Sequence, residues 1–96
     1  MSDSKGWSCY ALECADGSYY VGVATDLDDR LQEHNAGWGA RHTRLRKPVR
    51  LVWFERCASY PQVRALEARL KGWSREKKSR LVAGSLRLDP GLTQGE

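Results

Sequence analysis

Acidic residues are nearly missing from the middle of this sequence. Between residues 41 and 87 only Glu55, Glu67 and Glu76 carry negative charge, against fourteen basic groups. Residues 1–40 reverse the balance, with seven acids against Lys5 and Arg30, so a net charge of +4 hides a strong asymmetry. No apolar run approaches the roughly 20 residues that a membrane span requires. The stretch Met1–Gly6 is short and polar, which is not the pattern of a secretory signal. Cysteine is sparse and odd in number: Cys9, Cys14 and Cys57. There is no Cys-x-x-Cys, and Cys9 and Cys14 have no histidine neighbour, so a disulfide scaffold and a zinc ribbon are both poorly supported. Reduced cysteines, mostly in strands of a cytoplasmic protein, are the expectation. Repeats and low-complexity segments are absent.

What is present fits one small globular domain. The 96 residues are 41% hydrophobic and 29% charged, enough for one modest core and too few for two. Eleven of the sixteen basic residues are Arg, the side chain that grips phosphate bidentately and stacks on bases. A basic half of this kind suits a polyanion, most often nucleic acid. A merely soluble surface explains a scattered excess, but explains the cluster over 41–50 poorly.

Trp7 to Cys14 reads as a strand, Ala15-Asp16-Gly17-Ser18 as a turn, and Tyr19 to Ala24 as a second strand. Thr25-Asp26-Leu27-Asp28 reads as a helix start with Thr25 as cap, Leu27 and Leu31 as the buried face, and Gly37 as the stop. Residues 37–48 show no periodicity and read as a loop. Val49 to Cys57 is a third strand. Pro61 opens a second helix to about Lys71, with Val63, Leu66 and Leu70 on one face. Ser74 caps a third, basic helix to about Val82. The order is β-β-α-β-α-α, with residues 1–6 as an N-terminal extension, 7–83 as the domain and 84–96 as a loosely held tail.

The hairpin carries Tyr10 on one strand and Tyr20-Val21-Gly22 on the other. Arg30 and His34, four apart, share one helix face at the edge of the Leu27/Leu31 stripe. Glu67 falls at the edge of the Val63/Leu66/Leu70 stripe. A half-buried tyrosine pair, an Arg, a His and one carboxylate suit phosphodiester cleavage, which needs a base for water, a cation on the phosphate and a divalent metal at the leaving oxygen. The hairpin register tests this grouping. A two-residue Asp16-Gly17 turn puts Tyr10 and Tyr20 on opposite faces. A three-residue Ala15-Asp16-Gly17 loop with left-handed Gly17 pairs Tyr10 with Gly22 and Leu12 with Tyr20. Both tyrosines then share a face, with Gly22 leaving open space beside the Tyr10 phenol. Val21 and Val23 join Cys9 and Ala11 on the other. Each residue also has an ordinary alternative: packing for the tyrosines and His34, an Asp26 pair for Arg30, and an exposed Glu67–Lys71 pair worth about 0.3–0.5 kcal/mol.

Ser8-Cys9-Tyr10, Tyr20-Val21-Gly22, Arg30-x-x-x-His34 and Glu67, in this order, resemble the GIY-YIG nuclease superfamily, and within it the small single-domain bacterial proteins. The likeness runs from about Trp7 to Val82 and includes Gly37-Trp38-Gly39-Ala40, His42-Thr43-Arg44 and Leu70-Lys71-Gly72-Trp73. The first triplet begins Ser-Cys rather than Gly-Ile. Many members carry a late Asn near the site; here Asn35 is the only Asn, and the region after Glu67 offers Ser74, Lys77 and Lys78. The resemblance implies an α/β (α+β) fold, a small three-stranded antiparallel sheet flanked by helices. It implies Tyr10 as general base or relay, Tyr20 as support for a metal-bound water, and Arg30 on the scissile phosphate. His34 would assist proton transfer, and Glu67 would be the sole protein ligand of Mg²⁺ or Mn²⁺.

The leading expectation is therefore a metal-dependent DNA endonuclease of repair or recombination. Its DNA would be plain, branched or damaged, with specificity weak or supplied by a targeting protein. A non-catalytic nucleic-acid-binding module is the alternative, and a scaffold for an acidic protein a third. The residues expected on phosphate are Arg41, His42, Arg44, Arg46, Lys47 and Arg50, with Arg75, Lys77 and Lys78 as a second set. Gly17 and Gly22 are the structural residues of the site. A free phenol has a pKa of about 10, so the expectation is that Arg30 and bound metal lower that of Tyr10.

Overall fold

Strand β1 (Trp7–Glu13) sits between β2 (Tyr19–Ala24) and β3 (Arg50–Cys57) in an antiparallel sheet of order β2-β1-β3. The computed structural model describes residues 6–86. The expected extension over 1–6 and tail over 84–96 therefore lie mostly outside the described residues. Between and after the strands come α1 (Leu27–Asn35), α2 (Arg41–Arg44), α3 (Tyr60–Lys71) and α4 (Arg75–Ala83).

The central strand is buried on both faces, and its alternation divides the core in two. Cys9, Val21 and Cys57 face α3 and α4, where Val63, Leu66, Leu70 and Leu81 close over them. Tyr10, Leu12, Cys14, Ala24 and Val49 form the opposite cluster, against Leu27 and Leu31 of α1. Truncating Leu66 or Leu70, each 1% exposed, to Ala would cost about 2–5 kcal/mol. The three cysteines are free and buried.

The hairpin takes the register with tyrosines on one face. Tyr10 pairs with Gly22 and Leu12 with Tyr20, and Gly17 has φ +86°. That left-handed backbone is why glycine stands there. The third strand pairs with β1 through an irregularity between Ala11 and Leu12.

The starts of α1, α3 and α4 follow side-chain caps. Ser59 and Ser74 accept from the backbone N–H of Gln62 and Lys77. At α1 the cap is Asp26, which accepts from Asp29 N–H at 3.0 Å, and not Thr25 as expected. Aspartate one residue nearer the first turn reaches that donor directly.

The largest departure is residues 37–48, expected to be loop throughout. They contain the one-turn helix α2. Four residues are too few to show a 3.6-residue period, and the turn is held by an internal bond, Thr43 Oγ1 donating to the Ala40 carbonyl at 2.9 Å. The segment is tied to the hairpin turn: Ala15 N–H donates to the Arg46 carbonyl at 2.9 Å, and Arg46 Nε pairs with Asp16 at 3.0 Å. Asn35 clasps the entry to β3, accepting from Val49 N–H at 2.8 Å and donating to its carbonyl at 3.0 Å.

Candidate active site

Tyr10, in the middle of β1, is 2% exposed rather than half-buried. Gly22 opposite it is not open space. A Cβ built there would lie 2.5 Å from the Tyr10 hydroxyl oxygen and 2.7 Å from Cζ, so the phenol itself fills the gap. The ring of Tyr20, on the same face, lies 6.4 Å from that of Tyr10 between centroids.

His34, expected at the edge of the apolar stripe, is the most deeply buried residue of α1, at 1% exposure. Leu27 and Leu31 are only partly covered. A histidine can take the central place because both ring nitrogens find partners, which removes the cost of burying them. Nε2 lies 2.9 Å from the Tyr10 hydroxyl and Nδ1 lies 2.7 Å from Thr43 Oγ1. Gly39 lies flat against the imidazole: a Cβ there would overlap Nδ1 and come within 2.7 Å of Cε1. Tyr20 stands between His34, at 5.2 Å, and His42, at 6.1 Å and nearly parallel.

Arg30, one turn before His34 on α1, pairs with Glu33 at 3.3 Å rather than with Asp26, and its side chain is 43% exposed. Its charge reaches both Tyr10 and His34. Glu67 on α3 is 13% exposed and holds two cations, Arg64 at 3.1 Å and Lys71 at 3.1 Å. The Lys71 ammonium lies 6.0 Å from the Tyr20 ring centroid, and the Glu67 charge acts on Tyr10.

At Tyr10 the chain's own groups act against the lowering expected from Arg30 and bound metal together. Burial pushes the phenol well above its ordinary value, Tyr20 and Glu67 add to this, and Arg30 offsets only part. Tyr10 therefore rests protonated at neutral pH. Burial, then Arg30, pulls His34 below its ordinary value, so the imidazole rests neutral.

The basic residues divide into two groups. Arg41, Arg44 and Lys47 are exposed and make no ion pair among the described residues, and Lys78 is partly buried and likewise unpaired. The others expected on phosphate have internal partners. Arg46 also donates to the His42 carbonyl at 2.9 Å. Arg50 pairs with Glu13 at 2.6 Å, and His42 lies 3.0 Å from Ser18 Oγ. Arg75 donates to the Gly17 carbonyl at 2.8 Å, and Lys77 sits over the Trp73 ring at 4.3 Å. Thr43 and Gly39 were missed as site residues. Both lie in segments that resemble the nuclease subgroup, but nothing in their spacing connects them to His34.

Residues 6–80 match the GIY-YIG catalytic domain. This chain belongs to the GIY-YIG family. It is similar to a UPF0213 protein of Bacillus pumilus (strain SAFR-032), 48% identical over 84 residues, which are 88% of this chain and 85% of the relative. It is also similar to the solution NMR structure of the UPF0213 protein BH0048 from Bacillus halodurans, at 41% identity and TM-score 0.54, covering 91% of this chain and 90% of that one. The solution NMR structure of EF2693 from E. faecalis is 36% identical with TM-score 0.57, covering 88% and 92% of the two chains. The three-stranded antiparallel sheet flanked by helices is what the GIY-YIG resemblance implies, and the order β-β-α-β-α-α read from the residues holds with the one-turn α2 added before β3. GIY-YIG domains are nuclease domains, and nuclease-type chemistry is the coarse assignment this membership carries.

Proposed function

We propose that this GIY-YIG domain is a metal-dependent DNA endonuclease that hydrolyses phosphodiester bonds in DNA repair or recombination. The observation that carries the reading is the buried bond between the Tyr10 hydroxyl and His34 Nε2, 2.9 Å long. The charges of Arg30 and Glu67 are close enough to act on that same phenol. A protonated phenol is a poor base alone, but one bonded to a neutral imidazole can take a proton from water while handing its own to His34. Arg30 neutralises the scissile phosphate as charge builds on it, and Tyr20 borders the attacking water. Arg41, Arg44 and Lys47, with Lys78, grip the flanking backbone.

The donor set suits a hard divalent cation. Among the described residues no three His, Cys, Asp or Glu side chains cluster as a metal site. Glu67 as a single carboxylate ligand matches the sparse ligation that Mg²⁺ or Mn²⁺ tolerates by keeping water and phosphate oxygens. Arg64 and Lys71, with side chains 56% and 52% exposed, can swing off it. Such a cation supplies positive charge at the leaving oxygen.

A second reading, a nucleic-acid-binding module without turnover, draws support from the same place, since both Glu67 carboxylate oxygens are ion-paired. Cleavage assays with Mg²⁺ or Mn²⁺ on plain, branched and single-stranded DNA, with Glu67→Ala as control, separate the two. Metal-dependent cleavage that disappears in the variant supports the nuclease. Binding without cleavage of any substrate supports the module.

A further inference from the structure

The hydrogen-bond chain behind Tyr10 has only one consistent direction. A carbonyl oxygen cannot donate, so the proton between Thr43 Oγ1 and the Ala40 carbonyl belongs to Thr43. A hydroxyl has one proton, so toward His34 the Thr43 oxygen can only accept. The proton between the two, across 2.7 Å, therefore sits on His34 Nδ1. A neutral imidazole protonated at Nδ1 is bare at Nε2, and Nε2 is the atom 2.9 Å from the Tyr10 hydroxyl.

We propose that Thr43 is a positioning residue that fixes His34 as the Nδ1–H tautomer, so that Nε2 stands ready to receive the Tyr10 proton. This rests on the nuclease reading above and gives it a direction. In the step, the bond from Tyr10 Oη to its proton breaks as the proton joins Nε2, and Tyr10 Oη takes a proton from the attacking water. The resulting imidazolium keeps its Nδ1–H bond to Thr43. With the opposite tautomer, Nε2–H would donate to Tyr10, and the phenol could not pass its proton on. Thr43 lies between Arg41 and Arg44, so the turn that presents these two cations also orients the proton acceptor. The Ala40 carbonyl keeps the Arg44 N–H at 3.0 Å when the hydroxyl is removed, so Thr43→Val leaves that group satisfied.

His42 supplies an internal reference. Ser18 Oγ donates to the Asp16 carboxylate at 2.6 Å, so it can only accept from His42 Nε2 at 3.0 Å. His42 is therefore the Nε2–H tautomer, the reverse of His34.

The test is the imidazole ¹⁵N spectrum of the histidine-labelled protein at alkaline pH, where imidazoles are neutral, with the two residues assigned through His42→Asn. The wild type should show His34 with a protonated Nδ1 and a bare Nε2, and His42 the other way round. Thr43→Val should shift His34 toward the Nε2–H form that free imidazole side chains favour in water. It should lower cleavage, by up to the about 10²–10⁴-fold that a positioned acid–base group contributes, with DNA affinity changed far less. Thr43→Ser should restore both spectrum and cleavage. A wild-type His34 protonated at Nε2, or a Thr43→Val protein with wild-type spectrum and cleavage, overturns the assignment. A wild type that cleaves nothing counts against the nuclease reading, while the wild-type spectrum still decides the tautomer.

Discussion

Gly22 faces Tyr10 across the hairpin, and the phenol occupies the place a side chain at position 22 would take. The glycine of β2 thus sets where the Tyr10 hydroxyl lies relative to His34. Gly22→Ala would force its Cβ within 2.5 Å of that oxygen, and a buried ring on a central strand has little room to yield. The expected outcome is a loss of about 1–3 kcal/mol in a denaturant titration and weakened cleavage. Wild-type stability would mean that the ring can shift at no cost.

Neutralising Arg41, Arg44 and Lys47 together should flatten the dependence of DNA affinity on salt by about one unit for each phosphate no longer gripped. Arg50→Gln breaks only the Glu13 pair and should leave the slope near wild type. Equal slopes in both proteins would return the loop to the status of a soluble surface.

Acid should weaken the fold through His34. Its folded value lies below the ordinary 6.5, so the unfolded chain binds the proton first. Stability is complete above about 6.5 and is lost as pH falls from there toward the lowered folded value. Urea midpoints measured from about pH 7.5 to about pH 5 should decline, and His34→Gln should flatten the decline. Asp16, held down to about 2 first by the Ser18 side-chain bond, titrates below this window.

Glu67→Ala should remove metal-dependent cleavage and leave DNA binding nearly intact, because the exposed cations of the α2 segment lie elsewhere in the chain. Cleavage in Mg²⁺ titrations and DNA affinity measured side by side check this. Retained metal-dependent cleavage would move the cation to other ligands.

The hairpin register was legible because few alternatives existed: Gly17 could be left-handed, and only one loop length put Tyr10 and Tyr20 on a common face. The strands and the three longer helices were legible from alternation, apolar stripes and caps. The short α2 was not, because one turn has no period and its tie to α1 is a hydrogen bond between Thr43 and a histidine nine residues earlier. Nor could sequence show that Arg46 and Arg50 are engaged by acids 30 and 37 residues away. The rise rather than fall at Tyr10 comes from its depth, since desolvation outweighs the Arg30 charge. Strand tyrosines are usually wetted at one end, which is the basis for expecting half-burial, whereas this central strand is covered on both faces.

The proposed chemistry depends most on the Tyr10 hydroxyl. Tyr10→Phe keeps the ring over Gly22 and removes only the oxygen bonded to His34, leaving Nε2 unpaired at a cost of about 1–3 kcal/mol. The decisive measurement is the single-turnover rate of DNA cleavage in Mg²⁺ by wild type and Tyr10→Phe, at saturating protein and a temperature where both are folded. A fall of about 10²–10⁴-fold with DNA affinity unchanged is the predicted result. Equal rates would show that the hydroxyl does no proton-transfer work and would place the active site elsewhere.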